Sequence, residues 1–327
     1  MSLKIGPHKL ENPVLLAPMA GVTDWPMREI ARQLGAGLCI SEMVTAKTQL
    51  WESTKSSSRL PTDLDPAPRP VQIAGADPSE LARAAALCEQ MGAGIIDINM
   101  GCPAKKVCNR AAGSALLADE ALVYRILEKV VDAVNVPVTL KTRLGTDPEN
   151  KNILSIATNA EQIGIQAISI HGRTRACRFN GEADYQLIGE VVSSINIPVI
   201  ANGDINTPEK AAMVMQRTGA AGVMIGRGAW GRPWLPGQIA DYLDRGQYQT
   251  FSRPKIKEVL LSHLQLMHRH YDEYRAVRFA RKHVGWYLEG FDPGRQLRKK
   301  FNQLESAISQ TQLIENHFTA LEAGEAA

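Results

Sequence analysis

No apolar run in the 327 residues is long enough to cross a membrane, and Met1 to Leu10 carries neither the basic start nor the apolar stretch of a signal peptide. The expectation is a soluble, cytoplasmic protein without a membrane partner. Cysteine is scarce and odd in number. Cys39, Cys88, Cys102, Cys108 and Cys177 are scattered, without the paired spacing of metal ligands. That argues against a disulfide framework and against structural zinc, so no metal site is expected. No internal repeat recurs at a short fixed period. The net charge of +3 is small, but it is unevenly placed.

Hydrophobic residues make up 44% of the chain, enough for one large α/β domain and a smaller one. Short β-branched runs at 14–19, 38–41, 70–73, 138–141, 167–171, 198–202 and 221–225, with one opening at Ile95, lack polar alternation and read as buried strands. Helix-like segments alternate with them at 25–34, 78–91, 120–134, 152–163 and 185–194, and another begins at Thr207-Pro208. Asp24 and Thr207 are placed to cap helices, with Pro26 and Pro208 in the first turns. Eight such alternations are the pattern of a parallel (β/α)8 barrel, an α/β TIM barrel. A small hairpin around Gly6-Pro7 closes its bottom, and the Ser-, Pro- and charge-rich stretch 52–70 reads as a long functional loop.

The rhythm changes after residue 245. Segments 257–271, 277–288 and 297–321 are helical only, which divides the chain into a barrel domain, 1–245, and a C-terminal helical domain, 246–327. From Arg275 to Lys300, eight basic residues stand against Glu289 and Asp292, a net +6 that leaves the remainder of the chain at −3. With Trp286, Tyr287 and Phe291 among them, these charges suit a nucleic-acid backbone or, equally, a solvated helix face.

The barrel strands end in polar and conformationally unusual residues. Ile95-Ile-Asp-Ile-Asn-Met-Gly-Cys-Pro103 delivers a thiol just past a buried strand, with Asn99 before it. The other strands end in Pro18-Met19-Ala20-Gly21, Gln72, Lys141-Thr-Arg143, His171-Gly-Arg-Thr, Asn202-Gly-Asp204 and Gly226-Arg227-Gly228. Carboxyl ends of parallel strands are where ligands collect in this architecture. Gly203 and Gly226 let backbone amides approach an anion, and Arg227 adds a cation, as in the phosphate site common after the last two barrel strands. Lys141 and His171 are suited to the electron-rich edge of a flavin ring.

The segments Ala17-Pro-Met-Ala-Gly-Val-Thr-Asp24, Asp97-Ile-Asn-Met-Gly-Cys-Pro103, Lys105-Lys106, His171-Gly-Arg-Thr-Arg175, Ile200-Ala-Asn-Gly-Asp204, Met224-Ile-Gly-Arg227 and Ala280-Arg-Lys-His283 resemble the tRNA-dihydrouridine synthases, most closely the bacterial B type. The resemblance implies an FMN enzyme that reduces a D-loop uridine of tRNA to 5,6-dihydrouridine, with NADPH as electron donor and a monomer as the default state. It carries flavin contacts onto Pro18, Met19, Ala20, Gln72, Lys141, Asn202, Gly203, Asp204, Gly226 and Arg227. His171 and Arg143 line the same pocket, Arg143 as a substrate contact; Asn99 faces the substrate base, and Cys102 is the acid that protonates C5 while C6 receives a hydride. An unperturbed thiol, with a pKa of about 8.5, is mostly protonated near neutrality and can fill that role.

A uracil in folded tRNA must leave its stack to reach such a pocket. The tRNA is expected on Arg278, Arg281 and Lys282, with Lys105, Lys106, Arg110, Arg173, Arg175 and Arg178 continuing the track. Three other readings compete: a lyase using Lys141 as a Schiff-base amine, a tRNA-binding module with a decayed site, and a small-molecule flavin reductase resembling dihydroorotate dehydrogenase.

Overall fold

The β-branched runs have no polar alternation because both their faces are covered. In the computed structural model, which describes residues 2–108, 112–290 and 294–325, each of the longer runs is a fully buried strand of one parallel sheet. A hairpin of β1 (Lys4–Ile5) and β2 (His8–Lys9) precedes it. The sheet strands are β3 (Val14–Leu16), β4 (Leu38–Cys39), β5 (Val44–Thr45), β6 (Pro70–Ala74), β7 (Ile95–Met100), β8 (Val138–Arg143), β9 (Ala167–His171), β10 (Val199–Asn202) and β11 (Gly222–Ile225).

Nine hydrogen-bonded segments make eight staves. β4 and β5 are two halves of one: β4 pairs with β3, and β5 pairs with β6 at the other edge. Between them, Ile40 N–H donates to Leu16 O at 3.3 Å and Ser41 N–H to Pro70 O at 3.2 Å, so one broken stave closes the barrel. The sequence suggested a strand ending at 41; the stave in fact resumes at Val44, beyond polar Ser41 and Glu42, which hides it from a hydrophobicity pattern. Leu3, Ile5 and Leu10 of the hairpin join Leu15, Ile95, Ile200 and Met224 in an inner cluster that plugs the barrel bottom.

Helices α1 (Trp25–Gln33), α2 (Thr54–Ser57), α3 (Pro78–Gln90), α4 (Lys105–Cys108), α5 (Glu120–Val131), α6 (Ile153–Ile163), α7 (Tyr185–Ser194), α8 (Pro208–Thr218) and α9 (Leu235–Arg245) complete the barrel portion. Their starts follow local chemistry. Asp24, Asp77, Asp119, Asp184 and Thr207 each accept from the backbone N–H three residues on, as helix caps do. The stretch 52–70 is pinned by Asp65, which pairs with Arg32 at 3.0 Å and with both nitrogens Nε and Nη2 of buried Arg28.

Gly246, at φ 70°, stops α9, and among the described residues the α-helices α10 (Arg253–His270), α11 (Glu273–Tyr287), α12 (Gly294–Gln303) and α13 (Ala307–Glu325) follow. The single helix expected over 297–321 is two, because Ser306 Oγ accepts from Ser309 N–H at 3.2 Å and begins a new one. α10 packs on α1, α11 and α13. The Tyr271 hydroxyl donates to Asp24 Oδ2 at 2.9 Å, tying these helices to the first barrel loop.

Candidate active site

The strand register sets the polar tips side by side. Asn99 pairs with Lys141, Arg143 with His171, and His171 with Asn202. They open onto a cavity of about 870 Å³ at the carboxyl end of the barrel, a volume suited to a cofactor. Its wall contains Pro18, Met19, Ala20, Gln72, Lys141, His171, Asn202, Gly203, Asp204, Gly226 and Arg227, together with Asn99, Cys102 and Arg143.

The thiol is aimed by a chain of buried amides. Asp97 accepts from Thr139 Oγ1 and from Gln72 Nε2, both at 2.7 Å. With its nitrogen held there, Gln72 must turn Oε1 to Asn99, whose Nδ2 donates to it at 2.8 Å. Asn99 Oδ1 is then left for the turn, accepting from Cys102 N–H at 3.0 Å and Gly101 N–H at 3.3 Å. A carboxylate, which only accepts, thus fixes two amide orientations and the backbone of the cysteine. Burial raises the Asp97 pKa to about 6 against these donors.

The far side of the turn is held as firmly. Ser114 donates to the Cys102 carbonyl from Oγ at 2.9 Å and from N at 3.1 Å, and Cys108 Sγ lies 3.5 Å from the same oxygen. Gly113 has φ +64°, and a Cβ there would stand 2.7 Å from that oxygen. Burial pushes the Cys102 thiol above its ordinary pKa, outweighing the pull of Arg143 and Lys141, so the group is a protonated acid at neutral pH.

Lys141 Nζ donates to Asn202 Oδ1 at 3.3 Å, and Asn202 Nδ2 to Met224 O at 2.8 Å. Burial first, then Arg143, brings the Lys141 pKa down to about 8. His171 is neutral: burial, with Arg143, Lys141, Arg173 and Arg227 around it, lowers it to about 2. Gly203, at φ +123°, could not carry a side chain between Ala183 and His171. Arg227 lies half exposed at the rim, its guanidinium 4.4 Å from the Phe179 ring centroid.

Arg173 and Arg143 both direct their guanidinium groups to protein acceptors. Arg173, expected on a surface track, is buried, bonding Asp204 Oδ2 at 2.6 Å and Asn180 O at 3.1 Å. Arg143 borders the cavity but donates to the carbonyls of Gly101 at 2.7 Å, Thr174 at 3.0 Å and Arg178 at 2.8 Å, so it joins the cysteine turn to the loop after β9.

The tRNA residues expected on the helical portion, Arg278, Arg281 and Lys282, do not line the cavity. Arg278 is exposed, its guanidinium 3.5 Å from the Tyr274 ring. Arg281 is half-buried and donates to Leu304 O at 3.2 Å. Half-buried Lys282 faces Asp24 and Glu42, whose charges offset part of the pKa lowering caused by burial. Lys105 and Lys106 begin the short α4, but their side chains, like Arg110 and Phe291 entirely, lie outside the described residues. The cavity also includes Met43, Phe179, Trp230 and Arg232, which the sequence reading missed. Trp230 lies four residues past Gly226 and had a positional signal, whereas Phe179 lies in an irregular loop and had none.

A closed parallel barrel, a glycine-rich rim after its last two strands, a lysine over the strand ends and a protonated thiol suit a flavin-type oxidoreductase. Solved structures share this fold. Histamine dehydrogenase from Rhizobium sp. 4-9 matches at TM-score 0.55 and 14% identity over 81% of this chain and 50% of its own. The old yellow enzyme homologue from Zymomonas mobilis matches at TM-score 0.53 and 14% identity over 78% of this chain and 95% of its own.

The dihydrouridine synthase family model matches residues 15–323, and the chain belongs to that family of flavin-dependent oxidoreductases. It is similar to tRNA-dihydrouridine synthase B of Pseudomonas aeruginosa, 52% identical over 97% of this chain and 96% of that protein. The protein of the same name from Vibrio vulnificus is 49% identical over 97% of this chain and 98% of its own. That of Salmonella typhimurium is 50% identical over 97% and 99%.

Proposed function

We propose that this protein converts a uridine in the D-loop of tRNA to 5,6-dihydrouridine, using FMN reduced by NADPH, as a cytoplasmic monomer. Family membership and the curated relatives support tRNA dihydrouridine formation, and they set aside the lyase, the decayed binding module and the dihydroorotate dehydrogenase-like reductase. The barrel, 1–245, holds the cofactor, and the helical portion, 246–327, receives the tRNA.

The residues fit an FMN. Gly203, Gly226 and Arg227 would hold the phosphate, and Lys141, Gln72 and Asn202 the polar edge of the ring, beside Met19 and Ala20. When bound and reduced, the flavin supplies the hydride that uracil C6 receives.

The chain supplies the rest. Cys102 Sγ gives its proton to C5 as the C5–C6 double bond becomes single, and the thiolate then regains a proton from water. Its raised pKa keeps the proton on sulfur until C5 gains electron density. Asn99, oriented by Gln72 and Asp97, holds the cysteine turn against the base, and Arg143 fixes the turn from behind.

The observation that carries this reading is the amide chain from Asp97 to the Cys102 backbone, a buried polar network whose end point is one thiol on a cofactor-sized cavity. The test is nucleoside mass spectrometry of unmodified tRNA incubated with the protein and NADPH. Wild type forms dihydrouridine, and Cys102→Ala largely loses it while retaining flavin. Equal product from both would remove Cys102 as the acid, and a colourless protein would remove the cofactor.

A further inference from the structure

Trp230, on the cavity wall, is stacked on a residue from the helical portion. Its ring lies 4.6 Å from that of Trp286 at an interplanar angle of 18°. The Trp230 Nε1–H donates to Met19 Sδ at 3.3 Å. That sulfur lies 3.9 Å from where a Cβ on Gly226 would stand, so it overhangs the last rim turn. A methionine has three rotatable bonds and no directional anchor of its own. Here its position in the cavity is set by Trp230, and Trp230 is set by Trp286.

Trp286 is itself fixed from behind. Its ring meets His283 edge-on at 5.3 Å and 82°, and His283 meets His263 at 4.9 Å and 69°. His263 Nδ1 lies 3.2 Å from the Tyr287 hydroxyl. Burial holds both histidines neutral, His263 at about 3, so the column carries no charge. The backbones are in register as well. Gly231 has φ +65°, and a Cβ there would stand 2.4 Å from the Trp286 carbonyl carbon and oxygen, so the loop after β11 lies directly on the end of α11.

We infer that Trp286 is a positioning residue for the flavin site: through its stack with Trp230 it fixes Met19 against the cofactor, so the helical portion completes a cavity otherwise built by the barrel. This rests on the proposed flavin reading and adds to it a residue that none of the rim motifs contains. It also provides a physical route by which tRNA bound to α11 would be felt at the cofactor.

The test compares Trp286→Ala, Trp286→Phe and Ile314→Ala in the full chain. Ile314 is fully buried in α13 and contributes no ring to the column, so it controls for lost packing in the helical portion. The readouts are FMN affinity of the deflavinated protein, the absorption and fluorescence of bound flavin, and the far-ultraviolet circular dichroism couplet of two stacked indoles. Wild type shows the couplet, and Trp286→Ala and Trp286→Phe both lose it. Trp286→Ala weakens FMN binding about fivefold and alters the flavin spectrum, as loss of an aromatic pair and its sulfur contact would. Trp286→Phe keeps a stacked ring and restores near wild-type affinity, and Ile314→Ala binds FMN as wild type does. Unchanged affinity and spectrum in Trp286→Ala, or an equal loss in Ile314→Ala, would overturn the inference while leaving the flavin site intact. A wild type unable to bind FMN would overturn the site reading and this inference with it.

Discussion

Asp97 does not border the cavity, yet it decides which way two amides face. Asparagine there would present one acceptor to two donors, Thr139 Oγ1 and Gln72 Nε2, and set its own N–H groups against one of them. Asp97→Asn is therefore expected to destabilise the fold by about 1–3 kcal/mol, the cost of a buried unsatisfied donor. Dihydrouridine formation should fall with it, because the amide chain loses its anchor. Denaturant titration and product analysis on one preparation check both. Asp24 carries a different prediction. Its pKa is raised to about 6, chiefly by burial and then by Glu42, while Tyr271, Met27 and Lys282 oppose the rise. A carboxyl whose folded pKa exceeds its unfolded value stabilises most below about 4, and that contribution is lost as pH rises through about 6. Asp24→Asn retains an oxygen to cap Met27 N–H and an amide to face Tyr271. The variant should equal wild type near pH 4 and gain on the order of 2 kcal/mol over it at pH 7, as chemical denaturation at the two pH values would show. No difference in pH slope would mean that Asp24 titrates as an exposed carboxylate.

At the scale of elements, Arg143 joins two segments that neither strand order nor motif associates. It stands at the end of β8 and reaches Gly101 beyond β7 and Thr174 and Arg178 beyond β9. The sequence reading placed it on the substrate, since an arginine at a strand end carries no sign of which carbonyls it will meet. Lysine has the charge but not the planar fork, and cannot bond three carbonyls in those directions. Arg143→Lys should lower the rate at saturating tRNA about tenfold or more while leaving tRNA affinity near wild type, as expected of a positioning group. A selective loss of tRNA affinity would return Arg143 to the substrate. The eight staves and most barrel helices were legible because buried parallel strands and capped amphipathic helices have local signatures. The break between β4 and β5 was not, because each half bonds a different neighbour. The rim was legible because each strand delivers its polar tip locally. The Asp97 to Asn99 chain and the Trp230–Trp286 stack were not, because both depend on which strands and helices become neighbours.

Across the whole molecule, the proposal that the helical portion receives tRNA rests on charge, and the structure divides the eight basic residues into two groups. Arg281 bonds Leu304 O, Lys282 faces Asp24 and Glu42, and Arg275 pairs with Asp272, so these three hold protein to protein. Arg278 on α11, with Arg295, Arg298, Lys299 and Lys300 on the adjoining α12, is exposed. Neutralising Arg278, Arg281 and Lys282 together would therefore mix lost binding with lost structure. The cleaner variant is Arg278→Ala with Arg295→Ala and Lys299→Ala. It should weaken tRNA binding at low salt and reduce the slope of log affinity against log salt by about one for each phosphate contact removed. Flavin content and turnover at saturating tRNA should be retained, because none of the three borders the cavity. With the remainder of the chain at −3, repulsion elsewhere should leave tRNA few other approaches. An unchanged salt slope in the triple variant would move the phosphate track to the basic loops beyond β7 and β9, and place the tRNA across the barrel mouth.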